Sequence, residues 1–405
     1  MTLYAGTAKT DITPPVGTMM AAFPRKRKPV CVPRKAQGIH DPLSARALAL
    51  RQGDTTVVLC SADLCTMRNI CVKRIRDAVT ARRPDLPRHH VLINVSHTHS
   101  GPEVSFLFGG DPDMPFVRTI EENIAEAALR ALDTMKPVTM SWAKTTLQIN
   151  HNRRVVNEDG KSVMQMEYDA DKATGCTDRD LHVIRFDDEA GTPAAVVYHF
   201  TAHALTLGPG NEKFSADYPG YASRLIEEAC SPATAHFLNG AAGNIHPREC
   251  MRDGTDARDR IGQALGDAVV GAFRSCRAVT NPALAVASES FTFQHRLDPS
   301  LAVPVESDIL KIGPLVFGLV PGEFFVEHQL AFKEAIAPRP GTLVGYANGW
   351  PGYVPTEKAY EEGGYGVDAA TEDIPEYCRT SIPPGAGETI IQAMIRRVLQ
   401  DLPAD

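Results

Sequence analysis

The sequence predicts an α/β fold: a layered domain of mixed β-sheets flanked by helices. Three observations predict it. Short β-rich runs alternate with amphipathic helical runs along most of the 405 residues. The chain is 43% hydrophobic and 22% charged, the balance of a globular protein with a substantial core. No fixed-period repeat interrupts the alternation and no linker-like stretch divides it, so residues 1–405 are read as a single domain.

Taken in order, the Pro/Gly-rich stretch from Asp11 and the segment around Phe23 read as a long irregular N-terminal excursion. Its basic run, Arg25 to Lys28, reads as solvated loop charge. Thr55 to Asp63 reads as a buried strand. The helix from about Arg68 to Arg82 follows, with Ile70, Val72, Ile75 and Val79 apolar. Val91 to His99 is the next expected strand. From about Phe116 to Met135, Ile120, Ile124, Ala127, Ala128, Ala131 and Leu132 recur at helical spacing. β-type runs follow at Val138–Ile149, Leu181–Phe186 and Ala194–Phe200, the last two joined by a hairpin-like connection. Helices are expected at Tyr218–Ala229, Asp256–Phe273 and Glu388–Leu399, and strands at His236–Leu238, Ala283–Phe293, Leu315–Val320 and Leu343–Ala347.

Composition narrows the function classes. With 42 basic against 49 acidic side chains the formal net charge is −7, so the global positive field that non-specific nucleic-acid binding uses is lacking and no nucleic-acid partner is expected. No run reaches the roughly 20 apolar residues of a membrane span, and the first residues lack an export pattern, so no transmembrane segment and a cytoplasmic location are expected. The nine cysteines are scattered without a Cys-x-x-Cys pair and read as mostly free thiols. A metal would therefore be held by His, Asp, Glu or Tyr.

Five clusters could carry chemistry. Ser96-His97-Thr98-His99-Ser100-Gly101 closes a predicted strand; side chains two apart on a strand share a face, which sets two imidazoles together where α/β pockets form. Two histidines alone do not complete a zinc site. In His199-Phe200-Thr201-Ala202-His203 the histidines would be roughly 13 Å apart on a regular strand, so one ligand at most is expected, His203, with His199 packed. Asn239 to Pro247 is glycine-rich, either an oxyanion-stabilising turn or a tight bend. Glu323, after Pro321-Gly322, is either a charge at a helix start or a ligand. The Gly/Tyr-dense stretch from Tyr346 to Tyr365 is a long irregular loop, in which Tyr346 and Tyr360 read as packing residues. There is no Gly-x-Ser-x-Gly elbow and no His-Glu-x-x-His.

As an ordered set these clusters resemble the catalytic domain of the neutral/alkaline, non-lysosomal ceramidases. The resemblance runs from Ala5 to Pro14 through Gly38 to Ala47, Ser61 to Leu64, His97 to Pro102, Asn152-Arg153, His203, Val320 to Phe324 and Gly352 to Thr356. It implies a zinc ion held by His97, His203, Glu323 and Tyr353, with His99 and Tyr365 as polarising or proton-handling groups and Arg153 orienting a substrate oxygen. Where the ceramidases read Gly-Asp-Val-Ser-Pro, this chain has Gly243-Asn244-Ile245-His246-Pro247. An imidazole replaces the proposed nucleophilic serine, so attack by metal-activated water is expected, with His246 as donor, proton carrier or extra ligand.

The family's C-terminal immunoglobulin-like domain and export signal are not seen, which points to an acyl amide other than ceramide, small or lipid-like. The expectation is thus a zinc-dependent amidohydrolase. The alternatives are a metal-dependent hydrolase of an ester, lactone or phosphoester, an isomerase of a small polar metabolite, and a non-catalytic metal-containing binding protein.

Overall fold

The computed structural model describes residues 1–25, 32–105, 111, 114–368 and 380–402. Its larger sheet runs, strand by strand, Thr234–Asn239, Pro193–Phe200, Asp180–Asp188, Lys136–Thr146, Leu3–Asp11, Ser44–Gln52, Thr55–Ala62 and Val91–Val95, with Arg277–Ala278 added beside Lys136–Thr146. Neighbours are antiparallel except at the two ends, where Thr55–Ala62 pairs parallel with Val91–Val95 and Pro193–Phe200 parallel with Thr234–Asn239. A smaller sheet runs Leu284–Gln294, Ala302–Ile312, Leu315–Leu319 and Gly341–Val344.

Strand periodicity decides how these sheets stack. Along Leu315–Leu319, Leu315, Phe317 and Leu319 join one apolar cluster with Leu48, Leu50, Val57 and Leu59 of the larger sheet. Val316 points the other way, into a cluster with Phe332, Ile390, Ile391 and Met394. The opposite face of the larger sheet, through Ala45, Ala47, Val58 and Cys60, packs on Val72 and Ile75 of the helix Asn69–Arg82 and on Ile120 and Ile124 of Pro115–Asp133. Tyr218, Ile226, Ile261 and Leu265, from the helices Asp217–Ala229 and Asp256–Ser275, join the same cluster. The result is four layers, helix, sheet, sheet, helix, in which the outer helices of the smaller sheet are Val326–Ala335 and Ala386–Gln400.

The expected fold class is present, and the expected helices are found within two residues of their predicted ends. Pro193–Phe200 does form an antiparallel hairpin with Asp180–Asp188, with a register shift at Phe186/Asp187. The strand expected through His99 stops at Val95, because His97 turns into the left-handed region at φ 67°. Leu3–Asp11 and Ser44–Gln52 went unforeseen, as did the helix Val326–Ala335. Of the basic run, Arg25 pairs with Glu212 at the surface, and Lys26, Arg27 and Lys28 lie outside the described residues. None of the seven described cysteines is in a disulfide. Among the described residues no helix is long and apolar enough to cross a membrane.

Candidate metal centre and its surroundings

The loops that leave the ends of both sheets on one side of the molecule converge. His97 follows Val91–Val95, His203 follows Pro193–Phe200, and Glu323 follows Leu315–Leu319. Tyr353 is brought in by a two-residue parallel bridge that sets Glu323 opposite Tyr353. Two glycines permit the close crossing. A Cβ on Gly243 would stand 2.3 Å from the Glu323 carbonyl oxygen, and one on Gly322, at φ 79°, would stand 2.4 Å from that of Gly352. The Gly243 N–H donates to the Phe324 carbonyl at 2.8 Å, so this turn is a tight bend and its amide is not free for an oxyanion.

Each histidine is oriented by the backbone. His97 Nδ1 lies 2.6 Å from the Cys65 carbonyl oxygen, and His203 Nδ1 lies 2.6 Å from that of Ala242 and 3.1 Å from that of Ile245. A carbonyl only accepts, so both Nδ1 atoms carry a proton, and in the neutral tautomer each ring offers its Nε2 lone pair. Those nitrogens face one carboxylate oxygen: Glu323 Oε2 is 3.4 Å from His97 Nε2 and 3.3 Å from His203 Nε2. His203 Nε2 and Glu323 Oε2 are buried without a hydrogen-bond partner.

Burial would raise the Glu323 carboxyl, but the facing His97 and His203 outweigh it and hold it well below the usual range. Burial, with Arg153 and His97 adding to it, pushes His203 down to about 4. With both rings neutral, an anion and two lone pairs would meet with no proton between them, an arrangement that costs free energy unless a cation joins them. His97, His203 and Glu323, all buried, present ligand atoms within 4.8 Å of one another, and this donor set of two imidazoles and a carboxylate suits zinc.

Cys65, His97 and His99 form a second close group. Its claim is weaker, because His97 offers one Nε2 lone pair and that nitrogen already faces Glu323. His99 Nε2 is 3.2 Å from His97 Nε2. Strand alternation does not bring the two imidazoles together, as the sequence suggested; the turn at His97 does. Burial, reinforced by His97 and His203, lowers His99 well below the ordinary histidine range, so it is neutral.

Arg153 is buried alongside. Its Nη1 donates to His246 Nε2 at 2.8 Å, and its Nη2 donates to the Gly243 carbonyl at 2.5 Å and to the Tyr353 hydroxyl oxygen at 3.2 Å. The guanidinium also lies over the Tyr365 ring at 4.7 Å. The eight residues singled out in the sequence therefore gather in one place, with Tyr353 and Tyr365 at 5.5 Å between ring centroids and His203 and His246 at 5.3 Å. His199 packs away from them, its Nε2 on the Leu343 carbonyl at 2.7 Å.

The sequence missed Tyr346, which is more than a packing residue: its ring stacks on His97 at 4.1 Å and so fixes the plane of that imidazole. It also missed the carbonyls of Cys65 and Ala242, for which no side-chain signal exists.

The model of the neutral/alkaline non-lysosomal ceramidase N-terminal region matches residues 4–276. This chain belongs to that family. Neutral ceramidase A of Dictyostelium discoideum is 28% identical to it over 218 residues, 50% of this chain and 30% of that protein. Neutral ceramidase of Oryza sativa subsp. japonica is 27% identical over 206 residues, 48% of this chain and 25% of that protein. The matched stretch thus spans less than a third of either relative. The crystal structure of neutral ceramidase from Pseudomonas aeruginosa superposes with a TM-score of 0.74 at 18% identity, covering 100% of this chain and 76% of that one. A second structure, of a ceramidase complexed with C2, gives 0.75 at 17%. The likeness to the ceramidase fold covers the whole chain, whereas Glu323, Tyr353 and Tyr365 lie beyond the stretch that the family model matches.

Proposed function

We propose that this member of the ceramidase family is a zinc-dependent hydrolase of an N-acyl amide bond. The observation that carries the reading is the convergence of two backbone-oriented imidazole Nε2 atoms on one buried Glu323 oxygen that has no hydrogen-bond partner. His97, His203 and Glu323 would hold the ion, with Tyr353 as the fourth ligand. When bound, zinc supplies Lewis acidity, which polarises an acyl carbonyl and lowers the pKa of water from about 15.7 toward about 7.

The chain's own residues do the rest. The Cys65 and Ala242 carbonyls keep the ligand imidazoles in the ligating tautomer. Neutral His99 is placed to pass a proton between attacking water and leaving amine. Arg153 keeps its charge under burial and stabilises negative charge developing on the acyl oxygen, a kind of help worth roughly 2.7–4 kcal/mol per group. Tyr365 forms the wall under that guanidinium. His246 in the serine register favours attack by water over an acyl-enzyme.

The test is zinc stoichiometry by mass spectrometry together with turnover of a panel of N-acyl amides that includes ceramide. About one zinc per chain and a chelator-sensitive release of free amine are expected. Full turnover after exhaustive chelation, or hydrolysis of esters but no amide, would overturn the proposal.

A further inference from the structure

We infer that His246 is a positioning residue that acts on Tyr353 through Arg153, and neither carries a proton for the reaction nor binds the metal. The inference deepens the hydrolase reading and rests on it.

The argument begins with what a guanidinium can do. Arg153 has five N–H donors and no acceptor, so the 2.8 Å contact between its Nη1 and His246 Nε2 has one polarity: the imidazole accepts. That fixes the tautomer, with the proton on Nδ1. The lone pair that could ligate an ion or take a proton is occupied, and Nδ1 is buried with no hydrogen-bond partner. His246 therefore serves as an acceptor that aims the guanidinium.

The frame around it is stiff. His246 lies on Ile245–Pro247, which pairs antiparallel with Asn150–Asn152 and sets His246 opposite His151, and the Arg153 amide donates to the Asn244 carbonyl at 2.9 Å. With Nη1 pinned on His246 and Nη2 on the Gly243 carbonyl, the guanidinium plane is determined, and Nη2 also reaches the Tyr353 hydroxyl at 3.2 Å. The Tyr365 ring supports that plane from one side. Remove the acceptor at 246 and the guanidinium can rotate off the phenol. Misplacement of a reacting group by about 1 Å can cost about 100-fold in rate, so the effect falls on turnover more than on binding.

Three variants test this: His246→Ala, His246→Leu and His246→Gln, the last offering an amide oxygen as acceptor. The substrate is a fluorogenic N-acyl aminocoumarin, followed with zinc content and with near-ultraviolet tyrosine dichroism of the metal-free protein. Expected for the alanine and leucine variants is a fall of about 100-fold in kcat, with KM within about two-fold, zinc content unchanged and the tyrosine signal altered. His246→Gln should recover kcat to within about five-fold of the parent and restore the signal.

The inference is overturned if the glutamine variant is as impaired as the alanine one, if His246→Ala keeps full turnover, or if it loses zinc. Should the parent protein bind no zinc and turn over no amide, the hydrolase reading fails by itself. The dichroism of the metal-free variants then decides the positioning role: a signal restored by glutamine supports it, and one insensitive to residue 246 overturns it.

Discussion

Two groups of imidazoles and carboxylates among the described residues invite comparison, and they differ in their fitness to hold a metal ion. In the first, His97 and His203 face Glu323. In the second, His182 and His199 lie 6.0 Å apart between ring centroids near Asp178 and Asp180. There the carboxylates are already claimed: Asp178 by Lys333 and by Gln329 at 2.7 Å, Asp180 by Lys333 at 2.7 Å and Lys144 at 2.8 Å. Among the described residues, the ion-pair partners of Glu323 are the two imidazoles alone. Residue type does not separate the groups. What separates them is whether the carboxylate's charge has been neutralised by the protein, and which ring nitrogen the backbone has left bare.

Crossed substitutions sharpen that contrast. Glu323→Gln should abolish stoichiometric zinc and lower turnover by more than the roughly 100-fold that loss of an outer partner costs, measured by metal analysis and kcat/KM. Asp178→Asn should leave zinc content and kcat near those of the parent while lowering stability. Lys333 retains Asp180 but loses a buried partner, a change of about 1–3 kcal/mol readable by urea unfolding. If Asp178→Asn released the metal, the two groups would be one coupled unit and the contrast would fail.

The effect furthest from turnover is a pH slope. Burial pushes His182 and His236 down to about 3. A histidine with a lowered folded pKa binds its proton in the unfolded chain first, so its contribution is complete above about pH 6.5 and is lost as pH falls toward 3. Unfolding free energy should therefore decline between pH 6 and pH 4, and His236→Gln should flatten the decline by about 1.4 kcal/mol per pH unit. A slope unchanged by that substitution would show that His236 does not remain neutral.

Much of the fold was legible because burial imposes a period. Val72, Ile75 and Val79 mark a helix, and the continuous apolar run Val57 to Cys60 marks a strand covered on both faces. Ser44–Gln52 escaped because it meets the helix Pro115–Asp133 through Ala45, Ala47 and Ala49, small residues with weak strand preference that were chosen by the space available. Val326–Ala335 escaped because a ten-residue helix whose buried positions include His328 and Gln329 offers no apolar stripe. At the site, the residues came from short motifs and their likeness to a family. The left-handed turn at His97, the carbonyls that set the tautomers and the stacking of Tyr346 came only from tertiary structure.

The donors are divided between two layers, with the imidazoles hung from the larger sheet and the carboxylate from the smaller one. What keeps them in alignment is the oily seam between, where Leu48, Leu59, Leu310 and Phe317 interdigitate. Those side chains have no part in the chemistry and yet act as its gauge block, because the thickness of the seam sets the separation of the two halves of the cradle.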